Sequence, residues 1–245
     1  MTAIRITVTK TAGSTPRAAG TQMLVWADRT EGTIGGGTLE WEAMAEARRM
    51  LLAGRSRHSA NIPLGPAMGQ CCGGSVSLLW EEAEAMTCKP ARSLWIYGAG
   101  HVGRALVNVM APLPDFEITW VDTQADRFPQ TEVTTLVAAD PALVVKHAPV
   151  DADHLIFTYS HAIDLGLCNA ILNHRFHSAG LIGSATKWAR FRSRLAAMGH
   201  SNAEISRIAC PIGDPSLGKH PAEIALGVAS AMINAGERQI KDRTA

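Results

Sequence analysis

Apolar residues in the second half of the chain fall in short runs, each followed by a stretch of helical length. Runs at 94–97, 117–121, 134–138, 154–158, 180–183 and 208–212 read as strands, and helical patterns lie near 103–111, 141–147, 162–175, 186–198 and 221–235. Alternation of this kind predicts a parallel sheet with helices on both faces. The first half is patterned differently. Strands are predicted at 4–9, 22–27, 58–62 and 75–80, and a helix at 38–53, where Ala43, Met44, Ala47, Met50 and Leu51 share a face and Gly54 stops the helix. Thr38 is placed to cap that helix, and Glu40 and Glu42 lie where its dipole favours negative charge. Residues 84–92, with Pro90, read as a linker. The expected fold is α/β, with a Rossmann-like doubly wound parallel sheet over residues 91–245 and a smaller α/β domain over 1–90.

Two segments carry candidate chemistry. The strand at 94–97 runs into Gly98-Ala99-Gly100-His101-Val102-Gly103, and the next strand ends on Asp122. Strand, glycines, helix, second strand and acid in that order form a dinucleotide-binding layout: the glycines let a phosphate approach a helix N-terminus, and the acid stands ready for a ribose hydroxyl. The second segment is Gly69-Gln70-Cys71-Cys72-Gly73-Gly74. Adjacent Cα atoms lie about 3.8 Å apart, short of the roughly 4.4–6.8 Å of an unstrained disulfide, so Cys71 and Cys72 are expected as free thiols. The doublet is either a pair of small buried hydrophobes or a site for a metal centre or a sulfur-bearing ligand. The flanking glycines favour the site, because they let a bulky group approach.

Other residues are weighed against ordinary roles. Gly35-Gly36-Gly37 is either an anion site or a tight turn needing positive φ. Arg17 is either a clamp for a phosphate or a carbonyl, or a solvated loop arginine. His101 and His161 stand where open parallel sheets place their ligands and can donate a hydrogen bond or a proton near neutral pH. Lys187 is expected to be a solvated helix lysine. Cys88, Cys168 and Cys210 have no His or Cys at zinc-ligand spacing.

Composition narrows the field. The 23 basic residues are interspersed with 22 acidic ones for a net charge of +1, which gives no support to a nucleic-acid or membrane-surface role. No apolar stretch is long enough for a membrane span, the first residues lack a signal-peptide layout, and the five cysteines are an odd number, so a cytoplasmic protein with reduced thiols is expected.

Taken together, GSTPR at 13–17, GTQMLV at 20–25, GTIGGGTLE at 32–40, GPAMGQCCGG at 65–74, YGAGHVG at 97–103, WVD at 120–122, GLIGSATKWARF at 180–191, CPIG at 210–213 and GKHPAEIA at 218–225 resemble the XdhC family, the accessory proteins of xanthine dehydrogenase. The resemblance covers almost the whole chain. It implies a molybdenum-cofactor chaperone of purine catabolism: a protein that binds the molybdopterin-type cofactor, holds it while a cysteine desulfurase supplies the terminal sulfur, and delivers it to apo xanthine dehydrogenase or a related molybdenum hydroxylase. It also implies a maturation factor rather than an enzyme, working as a homodimer.

Cys71 or Cys72 would then meet the molybdenum as a soft ligand. Gln70, Gly73, Arg17, Gly98, Gly100, His101, Gly103, Asp122 and His161 would surround the rest of the cofactor, in the cleft between the domains. The alternative is an NAD(P)-dependent oxidoreductase with His161 or His101 as acid/base, and a third possibility is a redox-sensing interaction protein. The chain departs from the family pattern in starting almost on its first strand, and at 159–164, where the family is richer in histidine and aspartate.

Overall fold

The computed structural model describes residues 2–65, 73–86 and 91–244, which form two compact units, Met1–Cys88 and Lys89–Ala245. Among the described residues the first unit is a five-stranded antiparallel sheet covered by one helix. Its strands are β1 (Ala3–Ala12), β2 (Gln22–Val25), β3 (Thr30–Gly32), β4 (Arg57–Pro63) and β5 (Ser75–Ala83), in the order β3-β2-β1-β5-β4. Alternate residues of β1 and β5 face α1 (Gly37–Ala53): Ile4, Ile6, Val8, Val76, Leu78 and Trp80 pack against Leu39, Ala43, Ala47 and Met50. The Trp80 indole, 2 % exposed, gives its N–H to Ala43 O at 3.0 Å and so fastens sheet to helix. Gly54 ends α1 in the left-handed conformation, and Arg55 N–H returns to Met50 O at 3.0 Å, satisfying a carbonyl of the last turn.

The start of α1 differs from the sequence expectation. Its N-cap is Gly36 rather than Thr38, and no side chain caps it there. Instead the Glu40 carboxylate folds back into the turn that precedes the helix, where Oε2 accepts the Thr33 hydroxyl (2.5 Å) and the N–H groups of Ile34 (2.9 Å) and Gly36 (3.1 Å). Gly35, Gly36 and Gly37 all have positive φ, which makes the triple glycine a tight turn. The anion it cradles is the protein's own Glu40. Burial alone would raise the Glu40 pKa, but the hydrogen bonds from Thr33 and from the backbone of Gly36, Ile34 and Gly35 hold it below its ordinary value.

Glu40→Ala should therefore destabilise this unit by about 1–3 kcal/mol, because it strips two N–H groups of their acceptor. A lowered folded-state pKa means that the part of this contribution owed to the charge is present at neutral pH and is lost as pH falls from the unfolded value, near 4.5, through the lower folded one. The gap in thermal unfolding between wild type and variant should accordingly narrow as pH is lowered from 7, and a gap that stays constant with falling pH would contradict the assignment.

The second unit is a six-stranded sheet, parallel throughout: β6 (Arg92–Tyr97), β7 (Phe116–Asp122), β8 (Thr134–Val137), β9 (Asp153–Ile156), β10 (Ser178–Leu181) and β11 (Ile208–Ala209), in the order β11-β10-β9-β6-β7-β8. Strand order reverses between β6 and β9, as in a doubly wound Rossmann fold. Successive residues of β6 face opposite sides of the sheet. Leu94 and Ile96 meet Leu106, Val107 and Met110 of α2 (His101–Met110) and Val228, Ala229 and Met232 of α6 (Pro221–Thr244). Trp95 and Tyr97 face the other layer, which includes Leu167, Cys168 and Ile171 of α3 (His161–Leu172) and Phe191 and Leu195 of α4 (Ala185–Ala197). A further short helix, α5 (Asn202–Ile205), carries a capping box between Ser201 and Glu204.

Two details were not anticipated. The crossover at Pro141–His147 is a 3₁₀ helix, started by Pro141 and capped by the Asp140 carboxylate, which accepts Ala142 N–H at 3.0 Å. β11 covers two residues instead of five, because Pro211 has no N–H to extend the ladder.

The amino edge of this sheet is closed by an ionic network. Asp153, at the start of β9 and fully buried, accepts from Arg92 (2.6 Å), His177 (2.7 Å) and the Ser178 hydroxyl, and Arg92 also donates to Met232 O (2.9 Å) on α6. All these residues lie at strand starts or in α6, away from the carboxyl edge.

Candidate functional site

Because the six strands are parallel, the segments that follow them lie at a common edge. Gly98 follows β6, Asp122 ends β7, Thr158 follows β9, Gly183 follows β10 and Cys210 follows β11. Gly98, Asp122, Thr158, Tyr159, Pro141 and Ile163 line a shallow crevice there, at the point where strand order reverses.

The three glycines of the turn do different work. Gly98 has φ +110, and a Cβ on it would lie 2.5 Å from Phe157 O. Gly103, in α2, would place a Cβ 2.0 Å from Gly98 O, so the helix can seat on the strand only without a side chain there. Gly100 is different. Its backbone is extended (φ −76, ψ −172), and a Cβ would meet nothing within 4 Å. Packing does not require glycine at position 100, and a bare backbone at the start of α2 is what an approaching phosphate needs.

Asp122 is 4 % exposed, and its carboxylate is largely engaged by the turn itself. Oδ2 accepts Ala99 N–H at 2.5 Å, Oδ1 accepts Thr123 N–H at 2.6 Å, and Arg127 Nε lies 3.5 Å from Oδ1. The residue expected to face a ribose thus holds the glycine turn in place. Arg127 stacks on the exposed Tyr159 ring at 4.3 Å, and Arg104 donates to Ala99 O at 2.9 Å and to Arg127 O, so two guanidinium groups flank the turn. His101 opens α2 and is exposed. His161 opens α3 after the Ser160 cap and sets its ring edge-on to Phe191, centroids 6.2 Å apart.

The pair missed in the sequence is Asp164 with Lys187. Lys187 is no solvated helix lysine: its side chain is 11 % exposed, and its ammonium donates to Asp164 Oδ2 at 2.6 Å and to Ile182 O at 2.9 Å. The Thr158 hydroxyl donates to Asp164 Oδ1 at 2.6 Å. A lysine in the first turn of a helix that lacks an acid there opposes the helix dipole, and this was the one available signal that a carboxylate from elsewhere must meet it. The neighbouring thiols are made harder to ionise by their surroundings. Burial, followed by the Asp164 charge, pushes Cys168 up to about 12, and burial pushes Cys210 up to about 11 against the opposing charge of Lys187.

In the first unit, three sequence motifs come together. The 13–17 loop meets Gly73 and Gly74, with Ser14 bridged to Gly73, Gly13 and Gly74 in close backbone contact, and a Cβ on Gly74 only 2.2 Å from Ser14 O. Pro16 and Arg17 pack against Gly35 of the triple-glycine turn, and the Arg17 side chain is exposed. Gly73 has φ +64 and donates its N–H to Leu64 O at 3.0 Å, while Leu64 N–H donates to Gly74 O at 2.7 Å. The strands thus clasp both ends of the segment that carries the doublet. Gln70, Cys71 and Cys72 themselves lie outside the described residues, as does Cys88. Among the described residues no group of three or more His, Cys, Asp or Glu side chains is arranged to hold a metal ion, and no helix is long and apolar enough to cross a membrane.

Comparison with known proteins agrees with this geometry. Residues 94–232 match the XdhC Rossmann domain, and residues 2–60 match the XdhC and CoxI family. The uncharacterized protein YqeB of Escherichia coli (strain K12) is 30 % identical over an aligned length of 236, covering 90 % of this chain and 41 % of YqeB; the chain therefore spans well under half of that relative. A crystal structure named as a xanthine dehydrogenase from Bacillus halodurans is 17 % identical and superposes with a TM-score of 0.76 over 95 % of this chain and 91 % of its own, a likeness of fold. With both of its units matched, and the glycine turn lying inside the matched Rossmann domain, the chain belongs to the XdhC family.

Proposed function

We propose that this protein takes part in the maturation of a molybdenum hydroxylase: it binds the molybdopterin-type cofactor, holds it for sulfuration by a cysteine desulfurase, and delivers it to apo xanthine dehydrogenase or a related enzyme. The observation that carries the proposal is Gly100, a glycine that neither backbone conformation nor packing demands, at the N-terminus of α2 and beside two guanidinium groups. That arrangement suits the single phosphate of a pterin cofactor. An NAD(P)-dependent oxidoreductase would use the same turn but would need Asp122 to face a ribose, and its carboxylate is taken up by Ala99 and Thr123. Cys71 or Cys72 would supply a soft contact to molybdenum, and Arg17 and Gln70 are proposed as further contacts of the first unit. The molybdenum and its sulfido group would enter as cargo. The protein's part is to bind, orient and shield them.

Protein purified from cells that make the cofactor should carry molybdenum and pterin in comparable amounts. Serine at one of the two doublet positions should lower that content severalfold, with Cys71→Ser expected to have the larger effect. Alkylation should reach the doublet before Cys168 or Cys210, whose thiolate form burial makes scarcer still. If both serine variants and the double variant retain cofactor and activate the dehydrogenase like wild type, the doublet is structural. Purified wild type free of both molybdenum and pterin would overturn the proposal.

A further inference from the structure

Asp164 and Lys187 form a buried ion pair on the β9–β10 side of the switch point, away from Asp122. Asp164 is fully buried, and its two oxygens take the Lys187 ammonium and the Thr158 hydroxyl, both at 2.6 Å. A buried pair of this kind is weak evidence of stability, since apolar residues of similar volume commonly serve as well. Lys187 also stands in the first turn of α4, where the helix dipole disfavours a cation. Packing and local electrostatics therefore give little reason for the charge.

Position gives a better one. The pair sits at the carboxyl edge of the sheet, where ligands of open parallel sheets bind. Thr158 is itself a wall of the crevice at the glycine turn, so the pair is hydrogen-bonded to that wall. An ammonium has three donors. Two go to Asp164 and Ile182, the Phe191 ring lies 5.3 Å away, and the third finds no hydrogen-bond acceptor among the described residues.

We infer that Lys187, held in place by Asp164, is the second contact of the ligand whose phosphate lies at the glycine turn. The ligand class is an organophosphate that carries, at its far end, a second anionic or electron-rich acceptor such as a pterin carbonyl or a thiolate. The inference rests on the reading that the turn takes a phosphate, and two probes separate them: inorganic pyrophosphate, which has no pterin end, and molybdopterin released anaerobically from a denatured molybdoenzyme.

Lys187→Met should weaken molybdopterin binding at least about tenfold and leave pyrophosphate binding unchanged, the loss expected for a hydrogen bond from a charged donor. Gly100→Leu should weaken both. Because Lys187→Met leaves Asp164 buried and unpaired, the decisive variant is Asp164→Leu/Lys187→Met, in which Thr158 keeps Ser160 O as acceptor at 3.1 Å. That double variant should regain the wild-type Tm without regaining molybdopterin. Wild-type molybdopterin affinity in the folded double variant, or a loss of pyrophosphate binding equal to that of molybdopterin in Lys187→Met, would overturn the inference while leaving the phosphate reading intact. A wild-type protein that binds neither probe would overturn both.

Discussion

Gly103→Ala is expected to destabilise the C-terminal unit strongly, while Gly100→Leu, three residues earlier in the same turn, leaves it folded and abolishes its anionic ligand. The contrast follows from what each added side chain meets. At position 103 even a methyl would lie 2.0 Å from Gly98 O and 3.1 Å from Gly98 C, and both are backbone atoms of a turn already held by Phe157, Trp120 and Asp122. Nothing flexible can give way, so α2 must lift from β6. Overpacking costs about 1–3 kcal/mol, and a backbone clash belongs at or above the top of that range. In a domain of this size that is a loss of roughly 6–12 °C in Tm. At position 100 the added atoms enter open space, and Tm should stay within about 2 °C of wild type. Thermal unfolding paired with calorimetry for pyrophosphate reads both effects. A Gly100→Leu protein that still binds anions would move the site away from the turn.

The largest loss of stability is expected from Asp153→Ala. The carboxylate is 1 % exposed and serves Arg92, His177 and Ser178 together, so its removal takes away an acceptor that all three share and the counter-charge of the Arg92 guanidinium. Breaking a buried pair from one side typically costs about 3–5 kcal/mol. Ligand binding should survive in whatever fraction stays folded, because these groups begin their strands and the glycine turn follows the end of one. Chemical denaturation should show a lower midpoint with an unchanged slope. A shift of less than about 1 kcal/mol would mean that water replaces the carboxylate and that the network is surface-like.

Much of the Rossmann unit could be read from the chain. Its strands are short apolar runs that need only local pattern, and the glycine turn with Asp122 at the end of the next strand places the switch-point crevice. Other features are set by partners that local pattern does not show. β3 is three exposed residues, Thr30–Gly32, with no apolar alternation, and it is a strand only because Met23–Val25 offer it a ladder. Glu40 was recognised as favourable to the helix dipole, but its real task, filling the triple-glycine turn, depends on a backbone loop that no propensity describes. Lys187 looked solvated because its partner is 23 residues away on another helix. The two glycine-rich motifs that looked alike as anion sites also part company. Gly35–Gly37 is filled by the protein's own carboxylate, and Gly100 is open.

The link from Arg92 to Met232 O has a consequence for how the chain acquires its shape. It joins residues 140 apart, and around it Val228, Ala229 and Met232 of α6 complete the apolar layer that Ile96, Leu106 and Met110 begin. The first strand of the parallel sheet thus receives its covering layer from the C-terminal helix. Such distant contacts raise contact order and slow folding, because the intervening chain must be ordered before they form. During synthesis, the β6–α2–β7 segment leaves the ribosome with that face covered by α2 alone, and the layer stays incomplete until α6 follows. The Rossmann unit therefore completes its apolar layer only after α6 has been made, and until then the part of β6 that α6 covers stays open to water.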